Sequence, residues 1–344
     1  MLFSIESSCD ESAIAVFDPS RGIIAERVHS QIALHSEYGG VVPELASREH
    51  LNNFPVLLKS AEEFLKGSSI DGIAVTYGPG LASCLAVGLS LGKAMALRWG
   101  VPLIGVNHLR GHSFSPFIGL FEKDPNSFSK HFQALLPHLG LIVSGGNTLL
   151  FRIDKDYSFK IIAQTVDDAA GEALDKGAKL LGLGYPGGPL IEKTALQGSP
   201  SAYNFPRAFY HSPELKFSFS GLKTSLRYKL EAMDDEEWQA NLANLCASYQ
   251  EAVIDAVQRK THQAIQRFDF ASVGLSGGVA NNKRLRAAFK ELAQNASLPL
   301  FIAEPKHTGD NAAMIAFTAH VDPQGTRTDK DWQLSFQPAL SLVS

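Results

Sequence analysis

Two imidazoles, His108 and His112, stand one helical turn apart in Asn107-His108-Leu109-Arg110-Gly111-His112. Side chains at i and i+4 share a helix face, so the pair can close on one metal ion while a distant carboxylate completes the site. Asp310, in Thr308-Gly309-Asp310-Asn311, is the candidate carboxylate. Two neutral histidines and one aspartate would leave coordination positions open, as a catalytic or ligand-gripping metal requires. The histidine pair alone carries little weight: 11 His in 344 residues give roughly 0.35 such spacings by chance. Two ordinary helix histidines, with Thr308 or Asp310 as an N-cap, describe the same residues.

Asp10 and Glu11 fall at the tip of a small-residue turn, Ser7-Ser8-Cys9-Asp10-Glu11-Ser12. There they could orient a phosphate, hold a metal-bound water or take a proton, or they could only stabilise the turn. Asp175, and Gly188 in Tyr185-Pro186-Gly187-Gly188-Pro189, could hold ribose hydroxyls, since a carboxylate accepts both protons of a diol. Asn282 could meet an adenine edge or a sugar, or only cap its helix. Cations available to RNA are Lys216, Lys223, Arg227, Lys229, Lys283, Arg284 and Arg286, with Phe217 and Phe219 beside the first two. Solvated helix faces account for them as well.

The elements that must position these groups repeat. Leu2-Phe3-Ser4-Ile5, the turn at 7–12 and Ala13-Ile14-Ala15-Val16-Phe17-Asp18 read as a hairpin. Leu141-Ile142-Val143, Ser144-Gly145-Gly146-Asn147-Thr148 and the run 149–154 read as a second. Each is followed by strand, glycine turn and helix: strand 73–78 into a small-residue helix at about 81–98, and strand 272–276 into a helix at about 281–295. That unit offers free backbone N–H groups and a helix dipole to phosphate. Duplicated hairpin-plus-crossover lobes facing a cleft are the layout of the actin, sugar-kinase and heat-shock-chaperone ATPases. The expected fold is therefore α/β, actin-like, with two related lobes, a cleft between them and helical insertions in the second. Residues 1–120 with 305–325 would make the first lobe, closed by a C-terminal helix. Residues 135–304 would make the second, with an insertion at 162–268, leaving 326–344 as a tail.

Within the insertion, 167–176 has helical spacing, the Tyr-Pro-Gly-Gly-Pro turn should end that helix, and a long helix is expected over about 238–267. Residues 121–137 read as a lobe-to-lobe connection, and the chain after Val321 as loosely packed.

Composition excludes several classes. Hydrophobic residues at 45% and charged ones at 19% describe a well-cored enzyme rather than a disordered chain. A net charge of −4 supplies no global field for nucleic acid, so RNA must be met by a local patch or through a partner. Cys9, Cys84 and Cys246 share no metal-type spacing and cannot all pair, which favours a reducing compartment. The N-terminus lacks a basic n-region and long apolar core, and the apolar stretch at 81–99 is broken by Gly88, Ser90, Gly92 and Lys93. A cytoplasmic protein without a membrane span is expected.

Taken together, Glu6-Ser7-Ser8-Cys9-Asp10-Glu11-Ser12, Tyr38-Gly39-Gly40-Val41-Val42-Pro43-Glu44, Gly78-Pro79-Gly80-Leu81 and the stretches 167–176, 185–189, 217–224 and 277–286 resemble the TsaD family. This family, also called Gcp or YgjD, has Kae as its archaeal and eukaryotic counterpart. The resemblance runs from Leu2 to about Val321. It implies an acyltransferase, a tRNA N6-adenosine threonylcarbamoyltransferase. Such an enzyme moves a threonylcarbamoyl group from threonylcarbamoyl-AMP to N6 of the adenosine beside the anticodon, in tRNAs reading codons that begin with A, and releases AMP.

The resemblance further implies that His108, His112 and Asp310 hold one divalent metal, Fe2+ first and Zn2+ as the alternative. Ile142, Val143, Ser144, Gly145 and Gly146, with Asp175, Gly188 and Asn282, would hold the adenylate. Asp10 and Glu11 are the catalytic candidates. Glu192 stands where some relatives carry aspartate, Asn147 where the usual residue is His, Asn107 where some have another His, and Asn281-Asn282 where Ala precedes a single Asn. Implied partners are tRNA, a TsaB-like paralogue and a TsaE-like P-loop ATPase. A metallopeptidase built on the paired histidines is the alternative from another reaction class, yet Leu109 stands where HExxH zinc peptidases carry glutamate. A non-catalytic ATP-binding scaffold is a third reading, which the fold alone would permit.

Overall fold

The opening apolar run forms β1 (Leu2–Glu6) and reverses through its small-residue turn into β2 (Glu11–Asp18), with Glu6 opposite Ala13. The computed structural model describes residues 1–65, 69–329 and 332–344 and places this hairpin inside a six-stranded sheet. β3 (Gly22–Ser30) continues it antiparallel to β2, while β4 (Gly72–Gly78) and then β5 (Leu103–Asn107) add in parallel on the side of β1.

Side chains of a strand alternate between faces, and here the two faces carry different sizes. Phe3, Ile5, Ile14, Val16, Ile73 and Val75 pack with Phe54 and Leu57 from one helix and Leu89 and Ala96 from another. These are α2 (Pro43–Leu65), which follows the short α1 (Ile32–Ser36), and α3 (Ala82–Trp99). The intervening residues Ala13, Ala15, Ala74 and Val106 meet Ala312, Ala313, Met314 and Ile315 of α13 (Ala312–Val321). Small side chains let that helix lie close to the strands, and Ser4 Oγ donates to the Ala312 carbonyl at 2.7 Å.

Two expectations for this part of the chain need correction. Residues 121–137 are no bare connection: α5 (Ile118–Lys123) and α6 (Phe128–Ala134) fold with the first compact unit. Their aromatic rings hold them, Phe117 with Phe132 at 4.8 Å and Phe121 with Phe317 of α13 at 5.4 Å. The chain after Val321 is not loosely packed either. β11 (Thr326–Asp329) pairs antiparallel with β5, and Leu334, Leu340 and Leu342 are buried. Of the expected tail at 326–344, Lys330 and Asp331 lie outside the described residues.

The first unit comprises Met1–Ala134, Asp156–Ser158 and Ala303–Ser344; the second comprises Leu135–Lys155 and Phe159–Ile302. The second repeats five of the six strands of the first, with no counterpart to β11. β6 (His138–Val143), β7 (Thr148–Ile153) and β8 (Phe159–Gln164) form the antiparallel meander, and β9 (Ser272–Ser276) and β10 (Leu300–Ile302) add in parallel beside β6. The duplicated α/β architecture read from the sequence is thus present in both units.

The insertion between β8 and β9 contains α7 (Ala170–Leu180), α8 (Gly187–Ala195), α9 (Ser220–Glu231), α10 (Asp235–Ala240) and α11 (Leu242–Arg267), and α12 (Lys283–Asn295) follows β9. Three boundaries differ from expectation. Asp167, Asp168 and Ala169 precede α7 rather than join it, because Asp167 is spent on the backbone N–H groups of Phe219 and Ser220. The Pro-Gly-Gly turn opens α8 and does not close α7, which has already ended at Leu180 with Leu181 as its cap. The helix expected over 238–267 breaks at Asn241, whose amide donates to the Glu237 carbonyl at 3.0 Å.

Candidate metal centre and nucleotide-binding turns

β5 ends at Asn107, whose Oδ1 caps the next helix, α4 (His108–Phe114), by accepting from Leu109 N at 2.9 Å. Its Nδ2 donates to the Ser341 carbonyl, so the cap is itself anchored by the C-terminal segment. With the helix starting there, His108 and His112 share a face, their rings edge-on with centroids 4.7 Å apart. Asp310 arrives from the turn before α13. The bland reading of this residue as an N-cap does not hold: Asn311 is the cap, accepting from Met314 N at 2.8 Å. Asp310 Oδ1 instead lies 3.0 Å from His112 Nε2 and 3.4 Å from His108 Nε2. One ligand atom from each of the three falls within 4.8 Å of the others, the only such His/Cys/Asp/Glu group among the described residues.

A residue given no role from the sequence, Glu6, completes this arrangement. Its carboxylate is fully buried at the end of β1 and accepts from His108 Nδ1 at 3.1 Å, Thr76 Oγ1 at 2.5 Å and Ser8 N at 2.5 Å. The available signal was an acid closing the apolar run Leu2-Phe3-Ser4-Ile5, because a buried carboxylate must find partners. His112 Nδ1, by contrast, is buried with no hydrogen-bond partner among the described residues.

Charge organises the site. Burial alone would raise the Asp310 and Glu6 carboxyls, but the His108 imidazolium holds both below their ordinary values. Burial opposes the charge on His108, and Asp310 and Glu6 outweigh it and raise the imidazole well above its usual range. Asp10 is buried, and its carbonyl accepts from Gln31 N at 3.0 Å. Glu11 is half-buried and accepts from Ser30 Oγ at 3.2 Å; burial, then the charges of Asp310 and Asp10, push its carboxyl well up. The same influences raise the Cys9 thiol. Behind the turn, His50 of α2 donates from Nε2 to the Cys9 carbonyl at 3.0 Å, and its Nδ1 sits 2.7 Å from Ser12 Oγ. Glu11 is thus within electrostatic reach of both Asp310 and Asp10, all within the first unit.

The remaining predicted residues gather in the second unit. Ile142 and Val143 are buried at the end of β6. The turn after them is closed by Ser144 N to the Asn147 carbonyl at 2.8 Å and by Asn147 N to Ser144 Oγ at 3.1 Å. Gly145 and Gly146 are exposed, with open space where a Cβ would stand. Two neighbours press on this turn. A Cβ on Gly171, at the start of α7, would lie 2.5 Å from the Ser144 carbonyl oxygen. A Cβ on Gly277, whose φ is +90°, would lie 2.4 Å from the Val143 carbonyl oxygen.

Asp175 and Gly188 are also brought together, because Asp175 Oδ1 accepts from Gly187 N at 2.7 Å. Asn282 proves to be a cap: Oδ1 accepts from Leu285 N at 2.9 Å while Nδ2 donates to Gln250 Oε1 at 2.7 Å. Glu192 accepts from Lys283 N at 2.6 Å and so ties α8 to the start of α12.

The expected RNA contacts fare differently. Phe217 and Phe219 are buried and cannot stack on a base. Arg284 pairs with Glu251, Lys216 with Glu214, and Arg227 with Glu231. Arg286 Nε donates to the Ala280 carbonyl, and Lys229 lies over the rings of Tyr203 and Phe205.

Comparison with known proteins adds to this geometry. The family model TsaD, described as tRNA N6-adenosine threonylcarbamoyltransferase, matches residues 22–317. A protein of that name from Trichlorobacter lovleyi is 45% identical over 318 residues, 92% of this chain and 90% of its own length. Another from Anaeromyxobacter dehalogenans is 44% identical over 345 residues, 99% of each chain. Among solved structures, T. kodakarensis HypF aligns with a TM-score of 0.58 at 15% identity, over 92% of this chain and 46% of that one. Component A of the Acidaminococcus fermentans (R)-2-hydroxyglutaryl-CoA dehydratase aligns with a TM-score of 0.50 at 14% identity, over 92% and 96%. At such identities the structural likeness speaks for the fold alone.

Proposed function

Because the chain belongs to the TsaD family of tRNA N6-adenosine threonylcarbamoyltransferases, we propose that it moves a threonylcarbamoyl group from threonylcarbamoyl-AMP to N6 of the adenosine beside the anticodon, in tRNAs reading codons that begin with A. The observation carrying this reading is the meeting of His108 Nε2 and His112 Nε2 at Asp310 Oδ1. The donor set fits a divalent metal. Nδ1 of His108 is occupied by Glu6, which leaves Nε2 to face the aspartate, and the surrounding acids raise each other's need for a cation. Two imidazoles and one carboxylate suit Fe2+, with Zn2+ as the alternative. When bound, the metal supplies Lewis-acid charge that offsets a leaving phosphate.

The rest is done by the chain. The N6 nitrogen attacks the carbamoyl carbon, the bond from that carbon to the phosphate oxygen breaks, AMP leaves, and N6 gives up one proton. The Ser144-Gly145-Gly146 turn presents backbone N–H groups to the adenylate phosphate. Asp175 and the N-terminus of α8 at Gly188 hold the ribose, and Asn282 and Glu192 keep α12 in place beside them. N6 is a poor nucleophile, its lone pair delocalised into the ring, so positioning contributes more than base catalysis. Asp10 and Glu11 are the candidates for accepting the departing proton or aligning the attacking amine.

A TsaB-like paralogue and a TsaE-like P-loop ATPase are the proposed partners in a cytoplasmic assembly, since a chain of net charge −4 gains from help in gripping tRNA. No helix among the described residues is long and apolar enough to cross a membrane.

The test is a reconstituted assay with labelled threonine, bicarbonate, ATP and tRNA, with and without the companion proteins, alongside elemental analysis of fresh protein. His108→Ala and Asp310→Ala are each expected to abolish transfer while the circular dichroism spectrum stays that of the wild type. Full activity in either variant, once stripped of metal, refutes the metal role. Peptide cleavage without labelled tRNA would favour the peptidase reading, and ATP turnover alone the scaffold.

A further inference from the structure

The two imidazoles of the proposed metal centre are supported unequally, and the difference lies in one carboxylate. Glu6 is completely buried, and its two oxygens receive three donors from three separate parts of the first unit. Oε1 takes Ser8 N from the turn, while Oε2 takes Thr76 Oγ1 from β4 and Nδ1 of His108 from α4. Ser8 Oγ stands 3.2 Å from the same Nδ1. No comparable group meets Nδ1 of His112 among the described residues.

A carboxylate accepting from the outer nitrogen of a histidine fixes which nitrogen is free and where the ring points, and so raises its worth as a ligand. We propose that Glu6 is a positioning residue of the metal centre: it holds the His108 ring with Nε2 turned to Asp310 and, through Ser8, couples that ring to the turn carrying Asp10 and Glu11. The proposal rests on the metal-centre reading given above. Its competitor is a purely structural Glu6 that only ties β1 to β4. Thr76 and Ser8 alone would satisfy that role, and the bond to His108 would then be incidental.

Zn2+ binding to the full-length, metal-stripped protein, measured by competition with a chromophoric chelator, separates these cases. Glutamine keeps the shape of Glu6 but has a single acceptor oxygen, so either Ser8 N–H or the Thr76 and His108 donors lose their partner. Glu6→Gln is expected to weaken Zn2+ binding roughly 10- to 100-fold. In the Zn2+-loaded protein it should also move the His108 Nδ1–H proton resonance upfield of its wild-type position. A dissociation constant within about twofold of wild type and an unmoved resonance would overturn the proposal. Should Glu6→Gln fail to fold, Thr76→Val removes one anchor of the carboxylate without touching any ligand. It is expected to weaken Zn2+ binding several-fold, and unchanged binding there counts equally against the proposal. Failure of the wild type itself to take up one Zn2+ would instead overturn the metal-centre reading, which makes the two failures distinguishable.

Discussion

Glu11 shows how a single side chain in this site can be tested without substrate. Burial, then the charges of Asp310 and Asp10, raise its carboxyl well above 4.5, so the metal-free folded protein keeps a proton that the unfolded chain sheds near that value. The folded state therefore binds more protons in this window, and stability falls as pH rises from about 4.5 through the folded value. Glu11→Gln keeps the shape and removes the titration. With chelator present, the variant should melt a few degrees above wild type near pH 8, at about 2–4 °C per kcal/mol, and together with it near pH 4.5. Coincident melting curves at both pH values would show that folding does not raise the Glu11 carboxyl. His108 and His112 were legible because i,i+4 spacing is local. Asp310 became legible only with the order of motifs around it. Glu6 was not, since its partners Thr76 and His108 lie 70 and 102 residues away and nothing local marks them.

At the level of elements, the glycines around the proposed nucleotide turn divide into those that shape it and those that leave it open. Gly171→Ala would drive a methyl into the Ser144 carbonyl at 2.5 Å, and neither backbone can yield alone. A cost of about 1–3 kcal/mol is expected, together with weaker AMP binding. Gly145→Ala meets nothing within 4 Å and should leave the melting temperature near wild type while still weakening AMP, because the methyl occupies the ligand's approach. Thermal melts paired with AMP titrations check both, and a stable Gly171→Ala protein with unchanged affinity would remove this turn from the site. Hairpins, crossovers and their glycine turns could be read from the sequence because alternation and turn chemistry are short-range. Helix limits could not: Asp167 leaves α7 for the N–H groups of Phe219 and Ser220, more than fifty residues on, and Asn241 interrupts a face whose apolar period continues through it. Phe217 and Phe219 look alike in sequence whether they face a base or a core, and the core claims them.

Across the whole molecule, one unit is assembled from both ends of the chain. The strands and helices of residues 1–134 are completed by α13, β11 and the final segment. That segment donates Gln337 N to the Tyr77 carbonyl and accepts from Asn107 Nδ2 and Arg110 Nε at Ser341 and Leu342. A polar, aperiodic tail gave no sign of this in sequence, because its anchors are backbone N–H and carbonyl groups and three leucines. Burial of Leu334, Leu340 and Leu342 is worth roughly 1.5–3 kcal/mol each. Deleting residues 332–344 should accordingly lower the melting temperature and weaken Zn2+ uptake through the loosened start of α4. Chelator competition and calorimetry would reveal it, and a truncated chain that melts and binds like the intact one would return the tail to a passive role. The same stitching sets a schedule for synthesis. His108 and His112 are translated about two hundred codons before Asp310. The proposed chelate therefore cannot close until the turn that carries Asp310 has been made and has folded back onto the older strands.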